Sequence, residues 1–172
     1  MAEDQPSNEL APREPTVEDL RNLCRELNRR GAKYAVIGGF AIRAANYIRT
    51  TMDIDLPVAD DPDNEAKVYS ALSILPDNAA RELTPGELQR YGVIRVADET
   101  VVDIMRTAGG IAYGEASRDL VIIDVDGVPI PFASPRTLWR MKAITHRVKD
   151  APDLFFLRQW FAERGEEPPP VQ

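Results

Sequence analysis

The chain has 172 residues, of which 44% are hydrophobic and 28% are charged, a composition typical of one soluble globular domain. Its formal net charge of −7 argues against a broad nucleic-acid-binding surface, because neutralising phosphates requires clustered Lys and Arg. No apolar run approaches the length of a membrane span, and the polar start does not resemble a signal peptide. The single cysteine, Cys24, excludes an internal disulfide and favours a reducing, cytoplasmic compartment.

The metal chemistry open to this chain is narrow. One His and one Cys cannot build a zinc site of the usual nitrogen and sulfur type. Any bound metal would therefore be a hard, oxygen-liking cation such as Mg²⁺.

The first predicted element is an amphipathic helix over residues 16–30, after a tail at 1–15 that is rich in Pro and acidic residues. Thr16 followed by Asp19 is the pattern of a capping box, and Gly31 is a typical helix end.

A central stretch then predicts a buried strand at 34–37, a turn at Gly38 and Gly39, a helix at 40–48 and a second strand at 53–59. Glycine lets the backbone come close to a ligand, and amides at such a turn can hold phosphate oxygens.

The second strand of this stretch carries two carboxylates, Asp53 and Asp55. Because strand side chains alternate between faces, these two acids are expected to point the same way, with Met52, Ile54 and Leu56 toward a core. Two acids side by side repel each other, and a cation between them relieves that cost.

The rest of the chain predicts helices and hairpins in alternation. In order, these are a helix capped by Asp63 or Asn64 and running to about 75, a short helix opening at 84–87, a hairpin of 93–97 and 101–105, a glycine-rich loop at 107–114, a hairpin of 120–125 and 128–132, and two helices at 134–149 and 151–165. This order predicts an α+β fold with a mixed or antiparallel sheet and flanking helices. We expect a single domain at 16–165, a C-terminal helical pair at 134–165 within it, and a tail at 166–172.

Two acids separated by one residue, as Asp53 and Asp55 are, are by themselves only a weak indication of a metal site. Asp124 and Asp126 have the same spacing, yet Asp126 belongs to a good turn sequence. The turn before Asp53 and a third acid, Asp103, set the central pair apart. Asp103 lies within an apolar strand, where an acid needs a strand end or a partner. Three carboxylates can hold the cations of a phosphoryl-transfer site, and the third can accept the proton of an attacking hydroxyl.

Three segments together carry a family pattern: Gly38-Gly39, the run Arg49-Thr50-Thr51-Met52-Asp53-Ile54-Asp55, and Asp103. This pattern resembles the DNA polymerase β-like nucleotidyltransferase superfamily. The form Arg-x-Thr-x-Asp-Ile-Asp-Leu is most similar to the bacterial branch of AbiEii-type toxin nucleotidyltransferases, which also carries a lysine and a later Asp in C-terminal helices. Lys142 and the run from Arg147 to Leu154 match that feature.

The resemblance implies a Mg²⁺-dependent enzyme that moves a nucleoside monophosphate from a nucleoside triphosphate to an acceptor hydroxyl on RNA or protein. It implies a possible antitoxin partner and no membrane. By the same similarity, the metal and catalytic residues are Asp53, Asp55 and Asp103, and the nucleotide-binding residues are Gly38, Gly39, Arg49, Thr51, Lys142, Lys149 and Asp153.

Other interpretations of these residues stay open at the sequence level. Arg49 and Thr51 also suit a helix end and a strand start, Lys142 a solvated helix position, and Lys149 and Asp153 a turn between helices.

The function has alternatives as well. Gly39 replaces the serine of Gly-Ser relatives, which removes a hydroxyl and allows a non-catalytic, antitoxin-like binding module. A transferase of the antibiotic-modifying kind would need acidic residues for a cationic drug, whereas the C-terminal cluster is basic.

Overall fold

The computed structural model describes residues 11–171, so residues 1–10 of the predicted tail lie outside the described range. Its helices are α1 (Val17–Arg29), α2 (Gly38–Ala44), α3 (Pro62–Ala71), α4 (Glu87–Tyr91), α5 (Tyr113–Ala116), α6 (Pro135–Ala143) and α7 (Ala151–Glu163). Its strands are β1 (Asp53–Pro57), β2 (Val93–Ala97), β3 (Val101–Met105), β4 (Thr107–Ala108), β5 (Ile111–Ala112), β6 (Leu120–Val125) and β7 (Val128–Ala133).

Helix α1 forms as the sequence predicts. The Thr16 side chain accepts a hydrogen bond from the amide of Asp19, and the Asp19 carboxylate accepts one from the amide of Thr16. This reciprocal capping box satisfies two backbone donors that a helix start otherwise leaves unpaired. The buried stripe of the helix packs against β7 and α3.

The central sheet is mixed, and the segment 34–37 joins it to a second, two-stranded sheet. Strand β3 lies between β1, to which it is parallel, and β2, to which it is antiparallel, while β6 and β7 form a separate antiparallel pair. Val36 bridges to Phe132 of β7, and Ile37 bridges to Asp55 of β1. The predicted strand at 34–37 is therefore present as a run of single bridges that links the central sheet to the β6–β7 pair.

The buried face of the central strands forms the core. Ile54 and Leu56 of β1, with Val102 and Ile104 of β3, are at most 1% exposed and belong to one hydrophobic cluster. Helix α2 packs against β1 and α6, and α6 packs against α7. The predicted α+β class with flanking helices is confirmed.

The helix predicted at 40–48 has different bounds. It begins at Gly38 and ends at Ala44, and Asn46 then adopts a left-handed conformation with φ 75°. Asn tolerates this conformation better than most residues, so it ends the helix without a glycine. The prediction that Met52 faces the core is wrong, because Met52 lies before β1 and is 58% exposed.

Two further helix bounds differ from the prediction. Helix α3 is capped by Asp61, whose side chain accepts from the amide of Asn64, and Pro62 occupies the first turn. Helix α6 stops at Ala143, because the chain turns at His146, which has φ 51°.

The described ends of the chain pack on the fold. Arg13 forms ion pairs with Asp19 and Glu99, and the indole of Trp139 donates to the carbonyl of Pro169. Within residues 11–171, no helix has both the length and the apolar character needed to cross a membrane.

Asn64 links the segment before 34–37 to the end of the central sheet by hydrogen bonds. Its side-chain oxygen accepts from the amide of Lys33, and its side-chain nitrogen donates to the carbonyls of Lys33 and Ala59. Asn64 is 3% exposed, so no bulk water can replace these bonds.

We therefore predict that Asn64→Ala lowers the free energy of unfolding by about 2–4 kcal/mol, because it leaves buried backbone groups without partners. Denaturant unfolding monitored by circular dichroism measures the loss. Lys67→Ala, at an exposed position of the same helix, is the control and should change stability by less than about 0.5 kcal/mol. Equal stability of the two variants would contradict the role given to Asn64.

Candidate functional site

Three carboxylates meet on the face of the sheet opposite the core. Asp53 and Asp55 extend from β1, Asp103 extends from β3, and the parallel register sets Asp55 directly beside Asp103. One carboxylate oxygen from each of the three lies within 4.8 Å of the other two. The acid that the sequence places in a distant strand thus reaches the central pair.

Burial and mutual repulsion disfavour the charged forms of two of these acids. Burial, followed by the charges of Asp53 and Asp103, raises the pKa of Asp55 to about 7. Burial and then the charge of Asp103 raise the pKa of Asp53, which the nearby Arg95 guanidinium opposes. Lys142 and Lys149 also act against the rise at Asp55. Burial is thus the main cost of ionising these two acids, and the neighbouring carboxylates add to it.

A basic residue that the sequence analysis did not single out, Arg95 of β2, reaches this cluster. Its Nε lies 2.9 Å from Asp103 Oδ1, and its Nη2 lies 2.8 Å from Asp103 Oδ2 and 3.2 Å from Asp53 Oδ2. The predicted hairpin contained the signal, because the short turn after Ala97 pairs Arg95 with Asp103. Arg95 is the partner that an acid inside an apolar strand requires.

Gly38 packs closely against Asp55, and Gly39 packs closely against Thr51, so an added side chain at either position would meet a neighbour. Gly38 has φ +65°, and a Cβ there would lie 2.2 Å from Asp55 Oδ2. A Cβ on Gly39 would lie 2.5 Å from the Cβ of Thr51. Thr51 is buried beneath the turn, where its hydroxyl donates to the carbonyl of Asp53 at 2.9 Å. The two glycines thus let the backbone lie directly against Asp55 and Thr51 at the edge of the cleft.

Helices α6 and α7 supply a second group of charges. Lys142 Nζ lies 3.0 Å from Asp150 Oδ1 and 3.0 Å from Asp153 Oδ2, and all three residues are at most 9% exposed. Arg49 also pairs with Asp153, and Arg147 pairs with Asp150. Lys142 is therefore a buried residue held by two acids, and the interpretation as a solvated helix position is wrong.

One cleft of about 700 Å³ connects the two groups of charges. The predicted site residues that line it are Gly38, Gly39, Arg49, Asp53, Asp55, Asp103, Lys142, Lys149 and Asp153. Thr51 lies behind the glycine turn and does not line the cleft. The cleft is also lined by three residues that were not predicted as site residues: Arg95, Arg147 and Asp150.

The acid cluster fits a divalent cation. Its donors are carboxylate oxygens, the ligands that hard cations such as Mg²⁺ prefer, and they converge within 4.8 Å. The guanidinium of Arg95 forms ion pairs with Asp53 and Asp103, which shows that the cluster attracts positive charge. Asp53, Asp55 and Asp103 are the residues that could hold the ion.

Comparisons with known proteins support the fold. No family model and no curated protein matches the sequence. A crystal structure from Thermotoga maritima, provisionally assigned as a nucleotidyltransferase, matches with a TM-score of 0.50 and 17% identity over 86% of this chain and 92% of that one. An antigenic nucleotidyltransferase-like protein from Paracoccidioides brasiliensis matches at 0.48 and 18% identity, over 86% of this chain and 79% of that one. The chain has a nucleotidyltransferase-like fold.

The close packing of Gly39 on Thr51 gives a prediction about stability. Gly39→Ala should lower the free energy of unfolding by about 1–3 kcal/mol, because the added methyl group meets a buried side chain. Gly114→Ala is the matched control in helix α5, since a Cβ there meets nothing within 4 Å. Thermal unfolding of both variants measures the difference, and an unaffected Gly39→Ala protein would contradict the packing described.

The raised pKa of Asp55 gives a prediction about pH. Because the folded-state pKa lies above the ordinary value, ionising Asp55 destabilises the fold increasingly as pH rises from about 4 toward 7. In the presence of a chelator, Asp55→Asn should therefore stabilise the protein by about 2–4 kcal/mol near pH 8 and by less near pH 5.

Denaturant titrations at the two pH values measure this gain. Asp126→Asn serves as the control, because Asp126 lies in an exposed turn where Asn tolerates the left-handed backbone. A gain from Asp55→Asn that does not grow with pH would show that the Asp55 carboxylate is not disfavoured by its surroundings.

Proposed function

We propose that this protein is a Mg²⁺-dependent nucleotidyltransferase, which transfers a nucleoside monophosphate from a nucleoside triphosphate to an acceptor hydroxyl. The observation that carries the proposal is the convergence of Asp53, Asp55 and Asp103 beside a glycine turn in one cleft. The nucleotidyltransferase-like fold makes nucleotide chemistry the natural use of such a cluster.

The three carboxylates are proposed to hold the cation. The chemistry that Mg²⁺ supplies at such a site is neutralisation of triphosphate charge and orientation of the reacting phosphate. The electrostatics favour this use. Burial and repulsion raise the pKa values of Asp53 and Asp55, and a bound cation would stabilise both carboxylates in their charged form.

In the proposed reaction the acceptor hydroxyl oxygen forms a bond to the α-phosphorus, and the bond from that phosphorus to the β-phosphate bridging oxygen breaks. Pyrophosphate leaves with the bonding electron pair, and the hydroxyl proton passes to a carboxylate. We assign that role to Asp103, because β3 lies on the side of the cluster away from the glycine turn. The acceptor would then approach from the β2 side, while the nucleotide lies over Gly38 and Gly39.

The charges of α6 and α7 are proposed to receive the triphosphate. Lys142 lines the cleft and is held in place by Asp150 and Asp153, so little side-chain entropy is lost when it binds a phosphate. Lys149 is exposed on the same wall. Arg49 acts through its ion pair with Asp153, and Thr51 acts by supporting the glycine turn.

The acceptor is proposed to be RNA or protein. Basic side chains on both walls of the cleft are available to contact an anionic acceptor, although an equal number of acids lines the same cleft. The motif similarity to AbiEii-type toxins supports a place in a toxin–antitoxin pair, with a partner that blocks the cleft.

A second candidate is a non-catalytic binding module with the same fold. The observation that favours it is the pairing of Arg95 with Asp103 and Asp53, which already balances part of the acid cluster. Calorimetry separates the two functions. Tight binding of a partner protein, with no affinity for Mg²⁺ or any nucleoside triphosphate, would favour the module.

The test of the enzyme is label transfer. The protein, incubated with Mg²⁺, a cell extract and each labelled nucleoside triphosphate in turn, should label an acceptor. Asp53→Ala and Asp103→Asn should each reduce the rate by about 10²-fold or more, because each removes a carboxylate that acts in the transition state.

Asp126→Asn is again the control and should label at the wild-type rate, since Asp124 and Asp126 share the spacing of the central pair but lie on a different hairpin. Labelling that survives in Asp53→Ala, or no labelling with any nucleotide, would overturn the proposal.

A further inference from the structure

Arg95 donates hydrogen bonds to two of the three acids of the cluster. Its side chain crosses from the edge strand β2 over Asp103 to Asp53. Both oxygens of Asp103 and one oxygen of Asp53 are within 3.2 Å of a guanidinium nitrogen. Asp55, the acid beside the glycine turn, has no contact with Arg95 among these hydrogen bonds.

These contacts conflict with cation binding at the same cluster. A divalent cation held by the three acids needs one oxygen each from Asp53 and Asp103, and Arg95 already bonds both oxygens of Asp103 and one of Asp53. A guanidinium beside such an ion is also repelled by it, and solvent moderates this repulsion because the Arg95 side chain is 61% exposed. The ion and the present position of Arg95 therefore oppose each other.

We infer that Arg95 competes with Mg²⁺ for Asp53 and Asp103, and so lowers the affinity of the protein for the ion on its own. The inference rests on the proposed function, because it concerns the same three acids. Arg95 is a positioning residue here, since it acts on the site through the carboxylates.

The structure also limits where the displaced guanidinium can go. The side chain of Arg95 is 61% exposed, so it can turn toward solvent without breaking core packing. The other acids of the cleft, Asp150 and Asp153, already pair with Lys142, Arg147 and Arg49. An anion brought by the substrate is the remaining partner, and a triphosphate carries one. The competition therefore favours entry of the ion together with its nucleotide.

The test is calorimetric titration of Mg²⁺ alone into wild type and into Arg95→Gln. Removing the competitor should tighten Mg²⁺ binding by about three- to tenfold, the range expected for two partly exposed ion pairs. In a chelator, Arg95→Gln should also melt at a lower temperature than wild type, and added Mg²⁺ should raise its melting temperature by more.

Two further variants separate direct competition from a general charge effect. Arg95→Lys keeps the charge but cannot hold Asp103 through two parallel bonds, so its Mg²⁺ affinity should lie between those of wild type and Arg95→Gln. Arg106→Gln removes an exposed arginine that pairs with Asp60 outside the cleft, and it should bind Mg²⁺ as wild type does.

The outcomes distinguish this inference from the proposed function. Equal Mg²⁺ affinity of wild type and Arg95→Gln, or an Arg95→Lys protein identical to wild type, would overturn the competition and leave the metal site standing. Failure of Mg²⁺ to bind any variant, even with a nucleoside triphosphate present, would overturn both. Binding by Arg95→Gln where wild type binds weakly supports both.

Discussion

The repulsion among three carboxylates on one sheet face is the constraint on which the rest of the site depends. The parallel pairing of β1 with β3 sets Asp55 beside Asp103, and strand alternation adds Asp53 to the same face. Burial and the neighbouring charges raise the pKa of Asp55 to about 7, so the fold maintains an arrangement that its own electrostatics oppose. Such an arrangement persists because the surrounding structure holds it, and strain of this kind is concentrated at functional sites.

The hydrophobic core holds the acids together from behind. Each acid alternates with a fully buried aliphatic residue, so sliding either strand by one residue would place Ile54 or Ile104 in the cleft and a carboxylate in the core. The glycine turn adds a second restraint, because Gly38 and Gly39 leave space only for Asp55 and Thr51. Charge compensation comes from outside the core: Arg95 reaches the cluster from β2, and Lys142 acts on it from α6.

Much of this could be predicted from the sequence, because the signals are local. Residues a few positions apart determine the capping box of α1, the two hairpins and the alternation around Asp53. The site role of Asp103 could be predicted because an acid within an apolar strand needs a partner. Helix ends were less predictable, since Asn46 and His146 turn the chain in left-handed conformations that periodicity does not reveal. The ion pairs of Lys142 with Asp150 and Asp153 depend on how α6 meets α7. The contact of Arg95 with Asp53 depends on strand order, which a single sequence does not specify.

We propose that Asp53, Asp55 and Asp103 form one divalent-cation site, from which Arg95 withdraws when the ion binds. Diffraction from crystals soaked in Mn²⁺ without nucleotide, then with a non-hydrolysable nucleoside triphosphate, tests this claim most directly. We expect an anomalous peak among the three carboxylates that is stronger with the nucleotide, and an Arg95 side chain turned away from Asp103 wherever the peak is present. Bound nucleotide with no metal peak at the three acids, or a metal peak there with Arg95 still paired to Asp103, would contradict this proposal.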